Sequence, residues 1–223
     1  MIFQRCLQTL LGSAAVLMVA FSSVADDYTL EKVETAPKGL AKDVSMVLSP
    51  VGYRVVGPDG PLCELWLRKD IPTNVEFQAT QNLHYPLTSG ELIGAIQVPR
   101  RAKFADFRDQ SLKPGTYTLR YGKQPQDGNH IGTSDYSDFL LALLAKEDES
   151  SANVDDVDQL QESSAEAAGG THPAIFQLLP LEESDEPATL VHLEDHDFWV
   201  LQLKKGSDNP IALRLIVVGH AEE

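Results

Sequence analysis

Apolar and polar residues alternate along this chain in short runs, and nearly every run is closed by a cluster of Gly, Pro, Asn or Asp. In the clearest run, Tyr117, Leu119 and Tyr121 fall on one face and Thr118 and Arg120 on the other, the period-two signature of a half-buried strand. Lys113-Pro114-Gly115 just ahead of it reads as a tight turn, with Pro presetting one dihedral and Gly taking the positive one that follows. On this reading Leu119→Ala costs about 2–5 kcal/mol and Thr118→Ala much less. Beyond a polar loop, Gln124 to Asp135, the apolar run Phe139 to Leu144 predicts a second strand.

Further strands are expected at Tyr28–Val33, Val75–Ala79, Leu92–Val98, Ala174–Leu179, Ala188–His192, Phe198–Leu203 and Ile211–Val218. The last run is apolar on both faces except for Arg214, which predicts a central strand between layers. Tyr53–Val56 and Cys63–Arg68 flank Gly57-Pro58-Asp59-Gly60-Pro61 and read as a hairpin, with Cys63, Leu65 and Leu67 on one face. Gly39 to Leu48 suits a short helix with Leu40, Val44 and Val47 on one side. Between Glu147 and Glu166 lie eight acids and no base, yet the stretch carries helix punctuation: Asn153 as cap, Asp155, Asp156 and Asp158 in the first turns, and Gly169-Gly170 as stop. A thin apolar stripe of Val154, Val157, Leu160 and Ala165 would dock this helix, with a frayed acidic approach from Glu147 to Ala152. Short strands at turn-punctuated spacing with one or two short surface helices predict a mostly β fold, an antiparallel β-sandwich of Ig-like or prealbumin-like type; a closed barrel is the second architecture.

The amino-terminal pattern differs from the rest. A basic Met1–Arg5 segment, the uncharged apolar run Leu10–Phe21 and the small residues Ser22-Ser23-Val24-Ala25 have the order of a secretory signal peptide cleaved after Ala25. Residues 1–25 are therefore expected to be removed, leaving 26–223 as one domain with an acidic helical insertion at about 147–170, exported to the periplasm or beyond the cell. With Cys6 gone, Cys63 is the only cysteine, so burial has to hold the fold without a disulfide. The formal charge of −15, from 33 Asp and Glu against 18 Lys and Arg, removes the basic footprint that nucleic acid or anionic lipid requires. No membrane-spanning segment is expected in 26–223, and an envelope protein, a glycan or a small ligand is the expected class of partner.

Two stretches carry a resemblance. Leu112-Lys-Pro-Gly-Thr-Tyr-Thr-Leu119 resembles the strand motif of transthyretin-like β-sandwich modules in secreted bacterial proteins. Together with ADFRDQSLKPGTYTLRYGKQPQDGNH, SDFLL, the Gly-Gly-Thr-His-Pro-Ala segment and the terminal LRLIVVGHAEE, it is similar to a family of exported bacterial proteins with no known reaction. The resemblance implies a sandwich and export, and no activity.

Chemistry concentrates in the 124–138 loop. Asp127, His130 and Asp138, with Asp106, Arg108 and Arg120 nearby, form a candidate ligand or ion site, because carboxylates beside an imidazole orient it as a base or complete a metal site. Ordinary turn chemistry at Asp127-Gly128-Asn129 is the competing explanation. A non-catalytic binding or structural module is the leading expectation, and a metal-dependent or His/Asp enzyme built on this loop is the alternative. His192-Leu-Glu-Asp-His196 lacks the Glu directly after the first His that a helical zinc motif places there. No phosphate loop, nucleophile elbow or Cys–His pair is present, so no cofactor is expected. Trp66, Trp199, Tyr121 and Tyr136 would stack a sugar only if they shared an exposed face; core or edge packing is their simpler role.

Overall fold

The computed structural model describes residues 28–124, 134–182, 186–205 and 211–221. The expected signal peptide, Asp127 and His130 lie outside them. The strands are β1 (Thr29–Val33), β2 (Gly52–Gly57), β3 (Gly60–Leu67), β4 (Leu92–Val98), β5 (Phe104–Ala105), β6 (Ser111–Leu112), β7 (Gly115–Lys123), β8 (Asp138–Leu144), β9 (Ile175–Gln177), β10 (Ala188–Leu193), β11 (Phe198–Lys205) and β12 (Ile211–Val218). Helices α1 (Lys42–Val47) and α2 (Val157–Ala168) complete the described elements. Among the described residues no helix is long and apolar enough to cross a membrane.

The fold is mostly β and antiparallel. A curled seven-stranded sheet runs β1-β2-β3-β4-β7-β8-β9, a three-stranded sheet runs β10-β11-β12, and β5 pairs with β6. Alternation decides what lies between the two larger sheets. Cys63 and Leu65 of β3, Ile96 of β4, Tyr117, Leu119 and Tyr121 of β7 and Leu140 of β8 meet Leu201, Leu203, Leu213 and Leu215 in one core. Cys63 is wholly buried there, and burial pushes its thiol up to about 12, so it serves as a small apolar side chain. An isolated bridge, Leu178 to Leu215, links the β9 edge of the large sheet to the β12 edge of the small one. Toward the other side β1 approaches β10, and the Tyr28 ring just ahead of β1 meets Trp199 of the central strand β11 with centroids 5.1 Å apart. The sandwich is thus drawn partway toward the closed architecture.

Several elements depart from the sequence reading. Val75–Ala79 is not a strand: Asn74 accepts from Glu76 N through Oδ1 and from Phe77 N through its carbonyl, a turn that competes with any ladder, and Val75 is 90% exposed. Gly115 starts β7 without a positive φ. β12 is an edge strand of the small sheet rather than a central one; it is buried on both faces because it also bridges to Leu178. β7 is buried on both faces as well, so Thr118 and Arg120 face a covering layer rather than solvent. That layer is the acidic insertion. Its helix begins at Val157, three residues after the expected start, because the Asp156 carboxylate accepts from the N–H groups of Asp158 and Gln159. Gly169 closes it in the left-handed conformation as expected. Leu160, Ser164 and Ala167 are the buried face, while Val157 is exposed. The 147–152 approach is pinned rather than frayed, because Asp148 is buried against β7.

Candidate functional site

Strand alternation separates the residues that the sequence groups together. Arg120 and Gly122 of β7 share the outer face of the large sheet with Phe139 and Leu141 of β8, whereas Tyr121 and Asp138 turn inward. Arg120 is fully buried and all five of its N–H donors are used: Nε and Nη2 grip the two Asp148 oxygens at 2.7 Å each, and the rest go to the carbonyls of Gly90, Ala152 and Ser150. Such a saturated guanidinium is a structural clamp. Asp138 is also fully buried; it accepts from the Tyr121 hydroxyl, from His84 N at 2.7 Å and from Tyr85 N at 3.4 Å. Desolvation, reinforced by the Asp138 charge, pushes the Tyr121 phenol far above its ordinary value and keeps it a donor. The imidazole beside Asp138 is that of His84, with Nδ1 3.6 Å from Oδ2, too far for a hydrogen bond. This group anchors the 82–85 loop to the sheet.

Of Arg108, Arg120 and Asp138, Arg108 lines the cleft on the outer face. The β5–β6 pair carries it in the turn 106–110, which Asp106 organises. Its Oδ1 accepts from Arg108 N and Gln110 N, and its Oδ2 from Gln110 Nε2 and Ile175 N, all at 2.8–3.0 Å. Burial still pushes the Asp106 carboxyl above its ordinary value against the pull of those four bonds. Asp109 sits at φ 58 to close the turn. Phe107 is held over the outer face by its N–H to Ile175 O and by Ala221 N to its carbonyl, at 2.8 and 2.9 Å.

The cleft lies beneath this turn, with a volume of about 140 Å³. Its floor is Gly122, Phe139, Leu141 and Ile175, walled by Phe107. A Cβ at Gly122 would come 2.4 Å from Leu141 Cδ1, so any larger residue there would push the Leu141 side chain aside. Arg108, Lys123 from the end of β7 and His172 also line it, with Gln124, Ser134 and Gln161. Gln161 comes from α2, and His172 from the segment joining α2 to β9. Among the described residues no carboxylate lines the cleft, although the chain carries 33 Asp and Glu. An apolar floor with a cationic rim suits a small anion bearing an apolar body.

Sequence reasoning missed Lys123 and missed His172, which reads only as the residue before a strand. They meet Arg108 through three separate segments, and no local spacing carries that information. The other sequence candidates disperse. Trp66 and Tyr121 are buried, so no four-ring sugar platform forms. His192 stacks on Trp199 with centroids 4.5 Å apart, and His196 on Phe198 at 5.4 Å, so the two imidazoles serve different neighbours. Among the described residues no group of three or more His, Cys, Asp or Glu is arranged to hold a metal ion. A scan against protein-family models, a search of characterised proteins and a search of solved structures each find no match.

Proposed function

We propose that the protein is an exported, non-catalytic binding module that holds a small organic anion with an apolar body in the outer-face cleft. Export rests on the leader-like order of residues 1–25 and on the resemblance of the 112–119 motif and its neighbouring stretches to exported bacterial proteins. The observation that carries the binding role is the charge of the cleft: Arg108 and Lys123 line it, no described carboxylate does, and the chain as a whole stands at −15. Such a cationic patch attracts anions locally on a chain that is acidic as a whole. The apolar floor supplies contact area and the rim supplies orientation.

Calorimetric titration with hexanoate, and with hexanamide as the neutral body of the same length, tests this. Hexanoate is expected to bind one to one and more tightly than hexanamide, and Arg108→Ala with Lys123→Ala together should weaken it about tenfold or more, the loss of roughly one charge-assisted contact. Equal binding of the amide, or no effect of the double substitution, overturns the reading.

A further inference from the structure

A second cleft opens on the other side of Phe107, with a volume of about 550 Å³, within the range of small-molecule sites. Phe107, Leu193 and Phe198 supply apolar surface, and the His196 ring lies over Phe198 with an interplanar angle of 23°. At its base is Arg214 of β12, the one charged residue in a strand otherwise apolar on both faces. Its side chain is 8% exposed. Nη1 donates to Pro180 O at 3.0 Å and meets Glu182 Oε1 at 2.6 Å, but Nε is buried with no hydrogen-bond partner among the described residues. An unmet donor on a buried guanidinium is costly, so Arg214 is incompletely satisfied where it stands, and the position open to an incoming acceptor is the one Glu182 takes at Nη1.

Which acceptor fits is indicated by Glu182. Its carboxylate sits on Arg214 although its own side chain is 62% exposed, so the guanidinium already takes a carboxylate at the cleft and holds it weakly enough to be exchanged. We propose that Arg214 is the anchor of a second binding site, selective for an aromatic carboxylate, in which the ligand's acid group displaces Glu182 and its ring packs against Phe198 and His196. The site does not depend on the cationic cleft, from which Arg214 is absent.

The test is fluorescence anisotropy of 2-naphthoate, with 2-naphthamide as the neutral control, in a protein already carrying Arg108→Ala and Lys123→Ala so that the first cleft is silenced. Glu182→Gln, an exposed change that leaves the core intact, is expected to tighten naphthoate severalfold by removing the competing carboxylate. Arg214→Met should abolish the preference for naphthoate over naphthamide. Unchanged affinity in Glu182→Gln, or equal binding of acid and amide, overturns the proposal even if Arg214→Met fails to fold. Naphthoate binding retained in the silenced background, alongside lost hexanoate binding, separates this site from the first cleft. Naphthoate binding that vanishes with Arg108 and Lys123 assigns the ligand to that cleft and overturns the second site.

Discussion

The Arg120 guanidinium is out of water, and Asp148 and three carbonyls take all five of its N–H donors. A matched buried pair adds little net stability over apolar residues of the same volume, but removing one partner strands the other charge. Asp148→Ala is therefore expected to cost about 3–5 kcal/mol in urea unfolding, and a loss below about 1 kcal/mol would show the clamp to be solvated. Thr118 donates to the same carboxylate, so Thr118→Ala leaves a buried acceptor short of a partner, a penalty of about 1–3 kcal/mol that narrows the gap expected against Leu119→Ala. The inward face of β7 was legible, because Tyr117, Leu119 and Tyr121 alternate into the core as the pattern predicts. The clamp was not: Asp148 is one of eight acids in a run that reads as solvated, and nothing local distinguishes it from Glu147 or Glu149.

The same limit governs elements. The hairpin at Gly57–Gly60 and the strands at Leu92–Val98 and Phe139–Leu144 emerge close to their expected bounds, since turn residues and period-two runs agree there. Val75–Ala79 has the composition of a strand without a partner to pair with, and Asn74 bends it into a turn instead. The two-residue strands β5 and β6 are too short to show a period at all, although they carry Phe107 and Arg108 to the cleft. Helix α2 lies between these cases: its existence and stop were legible, and its start was displaced because Asn153 and Asp156 are both good caps. Asp156→Ala is expected to cost about 0.5–2 kcal/mol and Asn153→Ala less, measured by thermal melting; the reverse order would return the cap to Asn153. The segment ahead of the helix is fitted closely to the turn before β4, since a Cβ at Gly90 would stand 1.9 Å from Val154 O.

Across the whole molecule, two sheets share one core, and the outer-face cleft lies outside it, where the β5–β6 turn, α2 and the segment before β9 overlie the large sheet. The fold class was legible because it is the sum of many local patterns. The cleft was not, because Gly122, Phe139, Ile175, Arg108 and His172 meet only after the strands pair, and only Arg108 was singled out from the sequence. Its cationic rim on a chain of charge −15 ties the site to the rest of the surface, and high salt should weaken anion binding there by screening. The decisive measurement is amide chemical-shift mapping during a hexanoate titration. The expected result is a set of shifts at Gly122, Lys123, Phe139, Leu141 and Ile175 that saturate together with one dissociation constant. Shifts that never saturate, or that saturate elsewhere while these five stay fixed, would contradict the cleft as the binding site.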